Sequence, residues 1–176
     1  MYNFTRFQYL SKLFKTSDLP IGENSYLIGK RLGLNENEVN EIILYYKEGG
    51  TIEFPILGPF VKLVRDWYKT LNEEDRYRLE ENFLIELKKL DRGNNRQDEF
   101  PIDFVFESMG LKAYSEQLAP ITAYSLKEKN LISINNDFVK ITEKGWNEAT
   151  RIEKERFETW KKTMSRLNMS TKSNTL

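Results

Sequence analysis

The chain of 176 residues carries 27 lysines and arginines against 27 aspartates and glutamates, so no net field draws the whole molecule onto DNA or an anionic membrane. It has neither cysteine nor histidine, which excludes disulfides, thiolate metal sites, imidazole general bases and a histidine pH switch. No stretch approaches the ~20 apolar residues of a membrane span, and the opening MYNFTRFQYL lacks the layout of a signal peptide, so a cytoplasmic protein without membrane attachment is expected.

The length allows one large core or two small ones. Residues 4–14 read as a first helix, with Phe4, Phe7, Leu10 or Ser11, and Phe14 at helical spacing. Residues 16–24, holding Pro20 and Gly22, form a loop. Residues 26–46, YLIGKRLGLNENEVNEIILYY, have the spacing of a helix-turn-helix. Ile28 and Leu32 share one helical face, and Gly29 lies where a following helix must come close. Gly33 can take the positive φ of a tight turn, and Leu34 plugs it. Asn35 caps a second helix whose inward stripe is Val39, Ile42 and Ile43. Gly49 and Gly50 end that helix, and residues 51–54 are a β-prone run suited to a small wing or edge strand.

Residues 60–71 are expected to be helical, with Phe60, Leu63, Val64, Trp67 and Leu71 on one side. A longer helix follows to about Leu90, capped by residues 72–75 and carrying Tyr77, Phe83, Leu84, Leu87 and Leu90. Residues 91–99, DRGNNRQDE, are the most polar segment and the candidate linker. They divide the chain into an N-terminal domain (1–92) and a C-terminal domain (100–168), with a disordered tail at 169–176. Residues 101–109 begin the second half as an apolar helix. Pro120 is placed at the first position of a helix whose inward residues are Ile121, Tyr124 or Ser125, and Leu126. Two short strands at 131–134 and 138–141 enclose a turn at Asn135, Asn136 and Asp137. Thr142 caps a long closing helix.

Leu126, the pair Leu131 and Ile132 after the basic LKEKN, and Ile141-Thr142-Glu143-Lys144-Gly145 together resemble winged-helix regulators of the MarR and PadR type. The resemblance covers residues 101–149, and its ITEKG end is the most specific part. It departs at Asn130, where the family usually has glycine, and at residues 112–117, where the helix before the recognition helix is short. The first half resembles the general helix-turn-helix superfamily over about twenty residues. The implied fold is mainly α with small β wings: tandem winged helix-turn-helix units plus a long C-terminal helix. A single, larger all-α domain is the alternative.

The resemblance implies a DNA-binding transcriptional regulator acting by operator occupancy on double-stranded DNA. Thr122, Ser125, Lys127 and Lys129 would lie on or beside the exposed side of the recognition helix, with Asn135, Asn136 and Lys140 on the wing. The first unit is less suited to phosphate. Its second helix presents Asn35, Glu36, Asn37, Asn40, Glu41 and Leu44 outward, without a cation, and Glu38 adds charge of the same sign. A scaffold or a protein contact fits that helix better. The alternative class is therefore a winged-helix adaptor in a larger assembly, with Glu36, Glu38 and Glu41 facing a basic partner.

On the closing helix Trp146, Phe157, Trp160, Met164 and Leu167 make an apolar stripe. Lys154, Arg156, Lys161, Lys162 and Arg166 make its end basic. That stripe either packs against a second copy, giving a homodimer through the C-terminal helix, or folds back on its own domain. Aromatics between the halves (Trp67, Tyr68, Phe104, Phe106) serve as core or line a small pocket. No phosphate-cradling glycine loop, nucleophile elbow or metal-ligand spacing is present, so neither catalysis nor a cofactor is expected.

Overall fold

The computed structural model describes residues 2–14, 19–91 and 98–172. Among these the chain is mainly helical, with two small three-stranded antiparallel sheets and a long C-terminal helix. The helices are α1 (Tyr2–Phe14), α2 (Ser25–Arg31), α3 (Glu36–Glu48), α4 (Glu73–Asp91), α5 (Ile102–Ser108), α6 (Ser115–Leu118), α7 (Ala123–Glu128) and α8 (Glu143–Lys172). The strands are β1 (Glu23–Asn24), β2 (Ile52–Glu53), β3 (Phe60–Leu63), β4 (Phe100–Pro101), β5 (Ile132–Asn135) and β6 (Phe138–Ile141). The sheets run β1-β3-β2 and β4-β6-β5.

A helix, a short strand, a second helix, a further helical stretch (α3 in the first unit, α6 and α7 in the second) and a hairpin follow in the same order twice, and the backbone hydrogen bonds repeat with them. Ser25 N–H donates to the Pro59 carbonyl as Ile102 N–H does to that of Asp137, at 2.7 and 2.9 Å. Leu34 N–H reaches back to Gly29 O and Leu111 N–H to Phe106 O, at 3.0 and 2.7 Å. Thr51 N–H bonds Tyr46 O and Leu131 N–H bonds Leu126 O, at 2.8 and 2.9 Å. The strand registers match as well: Glu23 faces Val61 as Phe100 faces Val139, and Ile52 faces Leu63 as Ile132 faces Ile141. The same turns need a left-handed residue. Gly33 and Gly110 supply it after the second helix, at φ 72° and 80°, and Gly50 and Asn130 before the hairpin, at φ 70° and 59°. Asn tolerates that conformation because its short polar side chain bonds locally at little cost.

Within the first unit, Asn35 completes a capping box with Glu38: each side chain accepts a backbone N–H of the other residue, at 3.0 and 2.9 Å. Gly29 lets α2 approach α3, since a Cβ there would run into Val39 Cγ2. Residues 60–71 are not a helix. They form β3 and, after Val64, a single 3-10 turn at Trp67–Lys69. Pairing with β1 and β2 imposes a two-residue period that buries Val61 and Leu63, and this overrides the helical spacing of the apolar residues.

Asn72 opens α4 by accepting the Asp75 N–H at 2.8 Å. Leu79, Phe83, Leu84 and Leu87 of α4 are buried, whereas Tyr77 is exposed. The helix packs on α1 of the first unit and on α5, α7, β6 and α8 of the second, so one continuous apolar core runs through both. An aromatic cluster reinforces the join: Trp67 stacks on Phe14 (centroids 5.0 Å apart) and meets Tyr114 edge-on at 5.6 Å. Trp67 and Phe106 are core residues, while Phe104 is exposed and stacked on Phe100. Most of the polar stretch at 91–99 (residues 92–97) lies outside the described residues, as do 173–176. The helical backbone of α8 covers residues 169–172, where the sequence suggests a disordered tail.

Candidate functional site

Pro120 does not start a helix. It sits in the turn between α6 and α7, and α7 begins at Ala123 with Thr122 as its N-cap residue. The inward residues are consequently Thr122, Ala123 and Leu126, and Tyr124 is exposed. Thr122, expected on the outer side, is 0 % exposed and its hydroxyl has no hydrogen-bond partner among the described residues. It cannot touch a macromolecule from there. Ser125 is half-buried and Lys127 is exposed.

Lys129 is spoken for. Its ammonium pairs with the carboxylate of Glu80, a buried residue of α4, while its carbonyl accepts from Lys144 Nζ at 2.8 Å. On the hairpin, Asn135 is the last residue of β5 and faces Phe138. The turn is therefore the two residues Asn136 and Asp137, both left-handed, at φ 47° and 67°. Asn135 and Asn136 are exposed and Lys140 is half-buried.

The ITEKG segment has a structural task. Thr142 Oγ1–H is directed at the carbonyls of Asn130 and Leu131 (2.9 Å each), and the same oxygen accepts the Gly145 N–H at 3.0 Å. Gly145 is pressed onto the Leu131 backbone: a Cβ would lie 2.9 Å from the Leu131 carbonyl carbon, with the oxygen nearer still. The motif thus locks the start of α8 to the turn before the hairpin. Beside it lies an open groove of about 570 Å³ lined by Lys129, Leu131, Lys144, Asn147, Glu148 and Arg151. Its cations are already bonded, Arg151 to Glu148 at 2.6 Å in addition to the two lysines above.

No family model matches the chain, and neither a curated protein nor a solved structure matches it.

In the first unit, α3 turns Glu36, Asn37, Asn40, Glu41, Leu44, Tyr45, Glu48 and a single cation, Lys47, to solvent, and Leu44 is 55 % exposed. Glu38 is occupied as a cap and is half-buried. Beyond α3 the hairpin between β2 and β3 carries Phe54, Ile56 and Leu57, all exposed, and Lys47 of α3 lies 5.2 Å over the Phe54 ring. The acidic helix face and the apolar hairpin are therefore neighbours. Neither feature stands out as a site from composition alone, because FPILGPF reads equally well as turn and core.

Below this face α3 is anchored by a buried pair, the Tyr46 hydroxyl donating to Asp75 Oδ1 at 3.2 Å. Burial pushes the Asp75 carboxyl up to about 6 and raises the Tyr46 phenol above its ordinary range. Among the described residues no three acidic side chains are grouped as a metal ion would require.

The closing helix is held to α4 by Arg156, which reaches Glu81 (2.8 Å) and Asn82 (2.7 Å), and by Lys88, which reaches Glu153 at 2.6 Å. Ala149 and Ile152 are buried. Farther along, Phe157 and Trp160 stack on each other at 5.8 Å yet remain 52 % and 53 % exposed, on the lip of a groove of about 400 Å³ lined also by Phe7, Gln8 and Leu32. No described helix is long and apolar enough to cross a membrane.

Proposed function

We propose that the two units are tandem winged helix-turn-helix modules and that the protein is an adaptor which binds other proteins through them. The duplicated order of elements and the matching registers support the module assignment. The observation that carries the adaptor reading is the outward row of α3, where Glu36, Glu41 and Glu48 flank an exposed leucine. A carboxylate row repels phosphate and forgoes the counterion release that supplies most non-specific DNA affinity. It suits a basic, amphipathic protein segment instead, with Leu44 as the apolar contact.

The second unit does not restore a cationic face. Lys129 is engaged by the buried Glu80, and Glu107, Glu116 and Glu128 are exposed among the remaining lysines. A second reading, operator occupancy on double-stranded DNA as a transcriptional regulator, draws on exposed Lys127, Asn135 and Asn136. Titration of a labelled mixed-sequence duplex at 25–200 mM salt separates the two. The adaptor reading expects no binding at micromolar protein. Binding that fades steeply with salt and is lost on Lys127→Glu would establish DNA as the partner. In parallel, association of the chain with a protein partner, whether another protein or a second copy of itself, should be lost on Glu41→Lys with Leu44→Asp and retained on Lys127→Glu.

A further inference from the structure

We infer that the basic segment received by the α3 face is the C-terminal helix of a second copy of this chain, so that two copies exchange α8 ends in a closed dimer. The inference rests on the adaptor reading of α3 and names its partner.

Charge is the first argument. Residues 36–53 contain five carboxylates and a single lysine, whereas residues 159–176 contain four cations and no carboxylate. The neutral total is thus a pair of opposite local fields on one molecule, which is what self-complementary association requires.

Matched spacing is the second. Glu41, Leu44 and Glu48 follow one another at three and four residues and share one face of α3, with Phe54 beyond them. Phe157, Trp160 and Lys161 lie at three and four residues on α8, with Lys162 beside them, and all four are exposed. The stacked rings can cover Leu44 and the apolar hairpin while the lysines meet Glu41 and Glu48. Lys161 is shared with Glu158 at 3.2 Å, but that pair is exposed and weak enough to yield.

Reach is the third. Thirty residues of α8 span ~45 Å, and Ile152 is the last of its described side chains to be buried. The helix is unbroken from Glu143 to Lys172, and past Arg156 its rings Phe157 and Trp160 border Phe7 and Leu32 of their own chain while staying about half exposed, open to a second copy. Each copy offers one acidic face and one basic end, so a two-fold arrangement makes the contact twice and leaves neither patch open.

Light-scattering mass of the full chain tests this with two charge-reversed variants, Glu41→Lys with Glu48→Lys, and Lys161→Glu with Lys162→Glu. The wild type should be a dimer at micromolar concentration in low salt, with its dissociation constant rising at least ~10-fold by 0.5 M salt. Each variant alone should be a monomer. An equimolar mixture of the two should return to dimer mass, because every contact in the mixed pair then joins opposite charges. A circular dichroism spectrum of each variant separates lost contact from lost fold.

A wild type that is monomeric at every salt overturns the inference; the duplex titration, which probes Lys127, then still decides the adaptor reading by itself. A dimer that survives the α3 reversal, as a seam of α8 on α8 would, overturns it too. So does a mixture that stays monomeric.

Discussion

Replacing Gly145 by alanine sets two known effects against each other. Gly145 is the third residue of α8, where alanine is favoured over glycine by at most the ~1 kcal/mol of a helix interior, so propensity alone makes the variant more stable. The local structure opposes this. The new methyl would stand 2.9 Å from the Leu131 carbonyl carbon and 3.2 Å from Ile141 Cγ1. The Leu131 carbonyl cannot swing aside, because it accepts from both the Thr142 N–H (3.1 Å) and its hydroxyl (2.9 Å). With backbone rather than a flexible side chain having to move, the cost belongs at the upper end of overpacking, ~3 kcal/mol. The net expectation is a loss of ~2 kcal/mol, or about 4–8 °C in Tm for a chain of this size. Thermal unfolding followed by circular dichroism measures it, with Gly49→Ala as the control. There φ is −71° and the nearest atom, Tyr45 O, is at 3.4 Å, so a change between zero and about 1 kcal/mol of gain is expected. Equal or higher Tm for Gly145→Ala would refute the reasoning, since propensity would then outweigh the contact.

The carboxyl of Asp75 gives a prediction with a defined sign. Its folded pKa of about 6 lies above the ordinary 3.8, so the folded state binds the proton more tightly: burial is tolerated below about pH 4, and stability falls as pH rises through 6. With allowance for solvent screening the loss by neutral pH is ~2 kcal/mol. Asp75→Asn keeps an acceptor for Tyr46 without titrating, so urea unfolding from pH 4 to 7.5 should show the variant gaining on the wild type by that amount; a pH-independent difference would remove burial as the cause. Lys129→Met should cost ~1–2 kcal/mol in the same assay, because it leaves the buried Glu80 carboxylate without its partner. No cost would mean that solvent reaches Glu80.

The parts of the fold legible in the sequence are those fixed by neighbours along the chain. The box of Asn35 and Glu38, the approach at Gly29, the cap at Thr142 and the left-handed Asn130 all act within a few residues. The apolar positions of residues 60–71 satisfy a helical period, and only pairing with β2 and with the distant β1 selects the two-residue one. The duplication left little trace in residue identities. Gly29 corresponds to Phe106 and Tyr46 to Leu126, and what the halves share is backbone hydrogen bonding. Thr122 faces inward because the helix begins at Ala123 rather than at Pro120; that offset rotates the face and turns the hydroxyl into the core. The engagement of Lys129 by Glu80 spans 49 positions in the chain and has no local signature.

The stack of Phe14, Trp67 and Tyr114, with α4 packed on both sides, joins the described parts of the two units through one apolar core. On the adaptor reading proposed above, a partner on one unit would be held at a set distance and angle from a partner on the other, as by a rigid bracket. Melting should accordingly be a single cooperative event, and either half expressed alone should expose these rings and precipitate.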